Sequence, residues 1–223
     1  AELVGRSPDL IAEAGLTRTF QNGRAFGNMS VEDNVRIGLC TRQVVSRPLR
    51  RIRAVPVLRW AALVAELAMA VANPPAVRRE MAQLDEEVTR QLERFNDRLT
   101  PRRTHYASSL SYANRRRTEI ARALAPDPAL LLLDEPTAGM NPAETKEVMH
   151  QLLELKENGH AMLLVEHKLD LVMTVSDRIV VMDYGVVIAE GTPAEVQNDE
   201  RVIEAYLGRK RTRQRHSHEE AQG

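Results

Sequence analysis

The spacing of apolar residues divides the 223-residue chain into stretches of different character. Residues 1–14 read as a short helix after a turn at "RSP", with Gly15 as its C-terminal cap. "LTRTF" then alternates apolar and polar like a strand. In "GNMSVEDNVRIG", Ser30 is an N-cap residue and Asp33 lies in the first helical turn, where a carboxylate suits the helix dipole. Residues 39–100 carry Arg, Ala and Glu at helical periodicity, contain no glycine, and are broken by Pro48, Pro56, Pro74 and Pro75. They predict an all-helical lobe, residues 39–106, inserted in an α/β chain.

The α/β pattern returns at residue 107. "NRRRTEIARALA" predicts a helix closed by "PDP", and "ALLLL" a short strand buried on both faces. "NPAETKEVMHQLLEL" predicts a helix with Asn141 as N-cap, Pro142 at the first position and Glu144 at the third. "AMLLV" follows as a second buried strand, which completes a strand–helix–strand unit. "RIVVMDYGVVIAEG" predicts two strands joined at Asp183-Tyr184-Gly185, and Thr192 with Glu195 forms a capping box. The tail after residue 208, "RKRTRQRHSHEEAQG", has no apolar periodicity and reads as disordered. No internal repeat is visible.

Composition narrows the function classes. Lys+Arg and Asp+Glu stand at 31 each, so net charge gives no argument for a nucleic-acid partner or an anionic membrane. The lone Cys40 excludes an intrachain disulfide framework. Residues 55–72, "VPVLRWAALVAELAMAVA", contain Arg59 and Glu66 and predict a buried or half-buried helix rather than a span of about 20 apolar residues.

Chemistry concentrates where "ALLLL" ends in Asp134 and Glu135. Two adjacent carboxylates after four leucines are costly to desolvate unless something uses them. Open parallel sheets bind ligands outside the carboxyl ends of their strands. His167 stands just past the next predicted strand, in "LLVEH", so two acids and an imidazole are expected on one rim. That set suits nucleotide hydrolysis. Asp134 would hold Mg²⁺ through water, Glu135 would orient or deprotonate the attacking water, and His167 would steady the γ-phosphate.

The stretch "LSYANRRRTEIARALAPDPALLLLDEPTAGMNP" resembles the signature, Walker B and D-loop block of an ABC transporter ATP-binding subunit. "RTFQ" resembles its Q-loop and "LLVEH" its switch-histidine strand, and all four stand in the family's order. "GLTRTFQN", "MSVEDNV", the "LSY" signature and "GTPAEVQNDERVIEAYLG" narrow the resemblance to the branched-chain amino acid importers, the LivG-like type. The resemblance implies a P-loop NTPase-like ABC cassette with an inserted helical lobe. It implies ATP and Mg²⁺ bound between two ATP-binding subunits, identical or not. Transmembrane permeases would be the direct partners, a solute-binding protein an indirect one, and the cytoplasmic membrane face the location.

By the same resemblance Gln21 would contact Mg²⁺ and the attacking water. Ser111, Tyr112, Ala113 and Asn114 would be the signature facing the ATP of the opposite subunit, and Asn141 would belong to the D-loop. Residues 1–38 would be the remainder of the N-terminal core. Residues 107–185 would complete the core and 186–208 would form the C-terminal extension.

The sequence departs from the family pattern in two places. Glycine is usual at the Ala113 position and Gln or Glu at Asn114, so the Ala113 methyl is expected to crowd a phosphate or strain the turn. Arg115, Arg116 and Arg117 read either as added positive field or as a solvated helix face. More important, no G-x-x-x-x-G-K-[ST] occurs, and Lys146, Lys156, Lys168 and Lys210 all follow the signature. That phosphate cradle is expected in a segment preceding residue 1, and residues 1–223 alone are expected to bind ATP poorly and to be inactive. Two rival readings stay open: a non-hydrolysing partner cassette that completes a neighbour's site, and the ATPase of a urea or amide importer. An ABC ATPase acting on DNA or ribosomes fits poorly, because the interval between Gln21 and the signature is too short for long coiled-coil arms.

Overall fold

A computed structural model of the protein describes residues 2–19, 25–43 and 59–205. Gln21 and the tail from residue 206 lie outside these residues. The chain divides into two compact units, 1–165 and 166–223.

In the first unit, α1 (Pro8–Glu13) leads through Gly15 into β1 (Leu16–Arg18), as the sequence predicts. Helix α2 (Val31–Gly38) starts at Ser30, whose side chain accepts from the Asp33 amide. Three helices follow: α3 (Arg59–Ala72), α4 (Pro75–Glu93) and the single turn α5 (Asn96–Leu99). Pro74 and Pro75 break the first two apart at an angle of 88°. The expectation of a buried or half-buried helix is not met: α3 is mostly exposed, with Ala62 covered and Trp60, Val64, Leu67 and Val71 forming an exposed apolar stripe at helical spacing. Among the described residues no single helix is long and apolar enough to cross a membrane.

The unit closes with α6 (Tyr112–Leu124), β2 (Leu130–Asp134), α7 (Pro142–Glu157) and β3 (Met162–Val165). The three strands are parallel in the order β1-β2-β3, with Leu131 paired to Thr17 on one side and to Met162 on the other. Being central, β2 buries Leu131 and Leu133. The expectation that "AMLLV" is buried on both faces is not met. Strand β3 lies at the edge of this sheet, and Leu163 and Val165 are exposed. Asn141 and Glu144 cap α7 reciprocally, as their spacing predicts.

Helices α2 and α6 pack closely because Gly38 has no side chain. A Cβ built there would lie 2.2 Å from the Arg122 carbonyl oxygen and 3.2 Å from the Ala125 Cβ. Backbone cannot yield as a side-chain tip can, so Gly38→Ala is expected to cost about 2 kcal/mol by overpacking. A urea midpoint equal to wild type would refute that crossing.

The second unit holds α8 (Leu169–Val175), an antiparallel hairpin β4 (Ile179–Asp183) and β5 (Val186–Gly191), and α9 (Pro193–Gln197). Tyr184 and Gly185 both have positive φ and form the two-residue hairpin turn. Ile179, Ala189, Val196 and Val202 make its core.

Candidate active site

The carboxyl end of β2 carries both acids. Asp134 is its last residue; Glu135 follows in the left-handed region at φ 44°. A non-glycine residue there is held by its surroundings rather than by its own preference. The Glu135 amide donates to Val165 O (2.8 Å), its carbonyl accepts from the Ala138 amide (3.1 Å), and the Asp134 amide donates to Thr19 Oγ1 (3.3 Å). Both acids are thus fixed by backbone bonds to the neighbouring strand ends. The Asp134 carboxylate takes a guanidinium hydrogen bond from Arg18 (2.9 Å), with Arg18 about half exposed.

Helix α6 begins beside these acids. Ser111 caps it, its Oγ accepting from the Asn114 amide at 3.4 Å. Of the four signature residues, Ser111 and Tyr112 are exposed, whereas Ala113 and Asn114 are buried. Ala113 is an ordinary helical residue, not among those with positive φ, and its methyl is covered by protein. The expected turn strain at Ala113 is therefore absent. The Asn114 side chain accepts from Arg117 (2.9 Å). A Cβ at Gly139, which has φ 68°, would lie 3.3 Å from the Tyr112 ring, so the ring sits over the turn before Asn141.

Two of the three arginines do not lie on a solvated face. Arg115 is exposed, but Arg116 and Arg117 are buried. Arg116 pairs with Glu119 (3.0 Å) and donates to the carbonyl oxygens of Asp134 and Glu135, the latter at 3.1 Å. Arg117 pairs with Glu147 of α7 (2.7 Å), which also receives Arg98 of α5. Burial lowers the Arg117 pKa, partly opposed by Glu147. Sequence reasoning missed Glu119, Glu147 and Asn34. The fully buried Asn34 holds the Phe26 backbone through both its amide nitrogen and its oxygen. The i,i+3 spacing of Arg116 and Glu119 was a usable signal; the partners in α7 and β2 left none.

His167 belongs to the second unit, two residues beyond β3. It is exposed, its amide bonds Glu166 Oε2 (3.1 Å), and its Nδ1 lies 3.4 Å from the same oxygen. The two acids and the α6 N-terminus are thus the part of the expected site that one unit brings together.

A cavity of about 550 Å³ lies at the other end of the sheet, lined by Arg94, Asp127, Gln151 and His160 among others. Asp127 and His160 precede β2 and β3, so this space opens at the amino ends of the strands, away from the acids. His160 Nε2 faces Arg94 Nη1 at 3.2 Å. Burial, then the Arg94 charge, push the imidazole below its ordinary 6.5, against a smaller upward pull from Asp127. The unfolded chain therefore binds the extra proton first as pH falls below that value, and stability drops through this window. Between about pH 7.5 and about pH 5.5 the thermal midpoint is expected to fall further in wild type than in His160→Gln.

A strand-end Asp-Glu pair beside a capped helix N-terminus, on a parallel sheet, is the arrangement of a nucleotide-hydrolysing α/β core. The family model described as "ABC transporter" matches residues 9–138, more than half of the chain. This chain belongs to the ABC transporter family and is one of its ATP-binding cassettes. A second model, "Branched-chain amino acid ATP-binding cassette transporter", matches residues 186–211. The chain is 36% identical over 207 residues to the high-affinity branched-chain amino acid transport ATP-binding protein LivG of Salmonella typhimurium, covering 92% of this chain and 72% of that protein. It is 34% identical to BraF of Pseudomonas aeruginosa, covering 93% and 73%. A solved nucleotide-free ATP-binding cassette from an ABC transporter superposes with a TM-score of 0.66 at 27% identity, over 92% of this chain and 74% of that one. The ADP conformation of the cassette MJ1267 gives 0.64 at 27%, over 93% and 74%. Cassettes of this family are ATPases coupled to transport, and this chain carries their strand-end acids and signature without a G-x-x-x-x-G-K-[ST].

Proposed function

We propose that this protein is the ATP-hydrolysing subunit of an importer for branched-chain amino acids. The match of residues 186–211 to the branched-chain model carries the choice of solute class, together with the names of the relatives matched over nine-tenths of the chain. The cassette works on the cytoplasmic membrane face against transmembrane permeases, which a solute-binding protein loads from outside.

In this reading Glu135 takes a proton from the attacking water. Gln21 and His167 complete the water and phosphate contacts. Ser111 and Tyr112, with the backbone amides of Ala113 and Asn114, face the ATP of a second subunit, and Asn141 lies in the D-loop beside it. The donor chemistry suits Mg²⁺, which asks for one or two carboxylates plus phosphate and water oxygens, and Asp134 offers an oxygen donor at the end of β2. Asp134, with Gln21, would hold it, and the ion would neutralise charge on the β- and γ-phosphates. The chain is then organised as core remnant 1–38, helical lobe 39–106, core 107–185 and extension 186–208, with 209–223 as a tail.

Uptake by the transporter, reconstituted with its permeases and binding protein, decides the solute. Leucine, isoleucine and valine are expected to accumulate on ATP addition while urea does not; the reverse pattern would move the protein to the amide importers.

A further inference from the structure

Glu119 and Arg116 form a buried pair that the roles above leave unused. Their side chains are 2% and 1% exposed. Glu119 divides its two oxygens: Oε2 accepts from Arg116 Nη1 (3.0 Å), and Oε1 accepts from the Ala25 amide (2.9 Å). Ala25 stands four residues after Gln21. Arg116 in turn gives its second terminal nitrogen to the carbonyls of Asp134 and Glu135. These carbonyls lie on either side of the Glu135 Cα, so one guanidinium clamps the residue whose φ is 44°. The planar fork makes this possible, because several donors leave one rigid group in fixed directions.

A buried ion pair is weak evidence for stability, since apolar side chains of similar size often serve as well. What apolar residues cannot do is bond three backbone groups of two separate segments at once. The stretch after Gln21 is otherwise held through Phe26, which Asn34 bonds on both its amide and carbonyl and which Arg122 covers at 5.2 Å from the ring centroid. Glu119 is the polar bridge from that stretch to the acids.

We propose that Glu119 and Arg116 are positioning residues for hydrolysis, linking the backbone after Gln21 to the backbone of Asp134 and Glu135. A displacement of the Ala25 backbone is passed through Glu119 to Arg116 and changes the hold on Glu135. Neither residue touches nucleotide. This inference rests on the reading of Glu135 as the residue that activates water.

Glu119→Gln is isosteric but has one acceptor oxygen for two donors, so it cuts the bridge on one side. Arg116→Lys keeps the charge next to Glu119 but cannot span both carbonyls. In the assembled transporter each variant is expected to keep the thermal midpoint within a few degrees and the KM for ATP within about threefold. Each is expected to lower kcat by about tenfold or more and to blunt stimulation by solute-loaded binding protein. If Glu119→Gln fails to fold, Arg116→Lys decides by the same criteria, and if neither folds, hydrogen exchange at the Ala25 and Glu135 amides in wild type decides. Unequal protection, with one amide exchanging freely while the other is locked, overturns the linkage. A folded variant with wild-type kcat and full stimulation overturns it also. Failure of the underlying reading is distinct: Glu135→Gln would then leave turnover intact.

Discussion

In the assembled transporter, with the phosphate-cradle segment expected before residue 1 in place, Glu135→Gln is expected to lower ATP turnover by about 100-fold or more while ATP still binds. The substitution keeps shape and hydrogen-bonding reach but cannot accept a proton from water. Its backbone is held through its amide to Val165 and its carbonyl to Arg116 and Ala138, and the amide side chain leaves these bonds in place. With the thermal midpoint measured beside turnover and unchanged, the lost rate is read as lost chemistry. Because binding survives and hydrolysis does not, the variant should accumulate as an ATP-bound pair of subunits, visible by size-exclusion chromatography with ATP and Mg²⁺. Turnover near wild type would remove Glu135 from the role of base.

The second large effect concerns stability. Glu147→Ala is expected to cost about 2–3 kcal/mol, a drop of roughly 5–10 °C in thermal midpoint for a domain of this size. Glu147 collects Arg117 from α6 and Arg98 from α5 onto α7. Arg98 is half exposed and can turn to water. Arg117 is buried, and without Glu147 its charge would face the neutral Asn114 oxygen in place of a carboxylate. Burial already works against its protonated form, as the lowered pKa shows. Removing the charge itself is the control: Arg117→Met is expected to cost under about 1 kcal/mol, and the double variant to match it rather than add to Glu147→Ala. Additive losses in urea unfolding would show that the pair is not coupled.

Much of the fold was legible because the deciding signals are local. Ser30, Asn141 with Glu144, and Thr192 with Glu195 announce their helices by cap chemistry alone, and each caps its helix in the structure. The strand that ends in Asp134 and Glu135 was equally plain, since four leucines running into two acids fit little else. What the sequence hid depends on which elements become neighbours. Arg116 and Arg117 look like surface residues until α6 is packed against β2 and α7, after which they are among the most buried side chains of the chain. The apolar run at β3 suggested a strand covered on both sides, but burial is a property of position in the sheet, not of the run. At Ala113 only the expected turn strain is removed, because the residue is part of the first helical turn.

The Arg18 contact gives the proposed metal step a particular character. Asp134 already holds a cationic group, so a magnesium ion bound to nucleotide would not add charge to a vacant carboxylate; it would take the place of a guanidinium. Asp134 would then give up the Arg18 guanidinium in order to hold a metal, leaving Arg18 able to pair with another anion nearby. A ligand that brings its own phosphates supplies such an anion, so displacement of the arginine and capture of the nucleotide would favour each other.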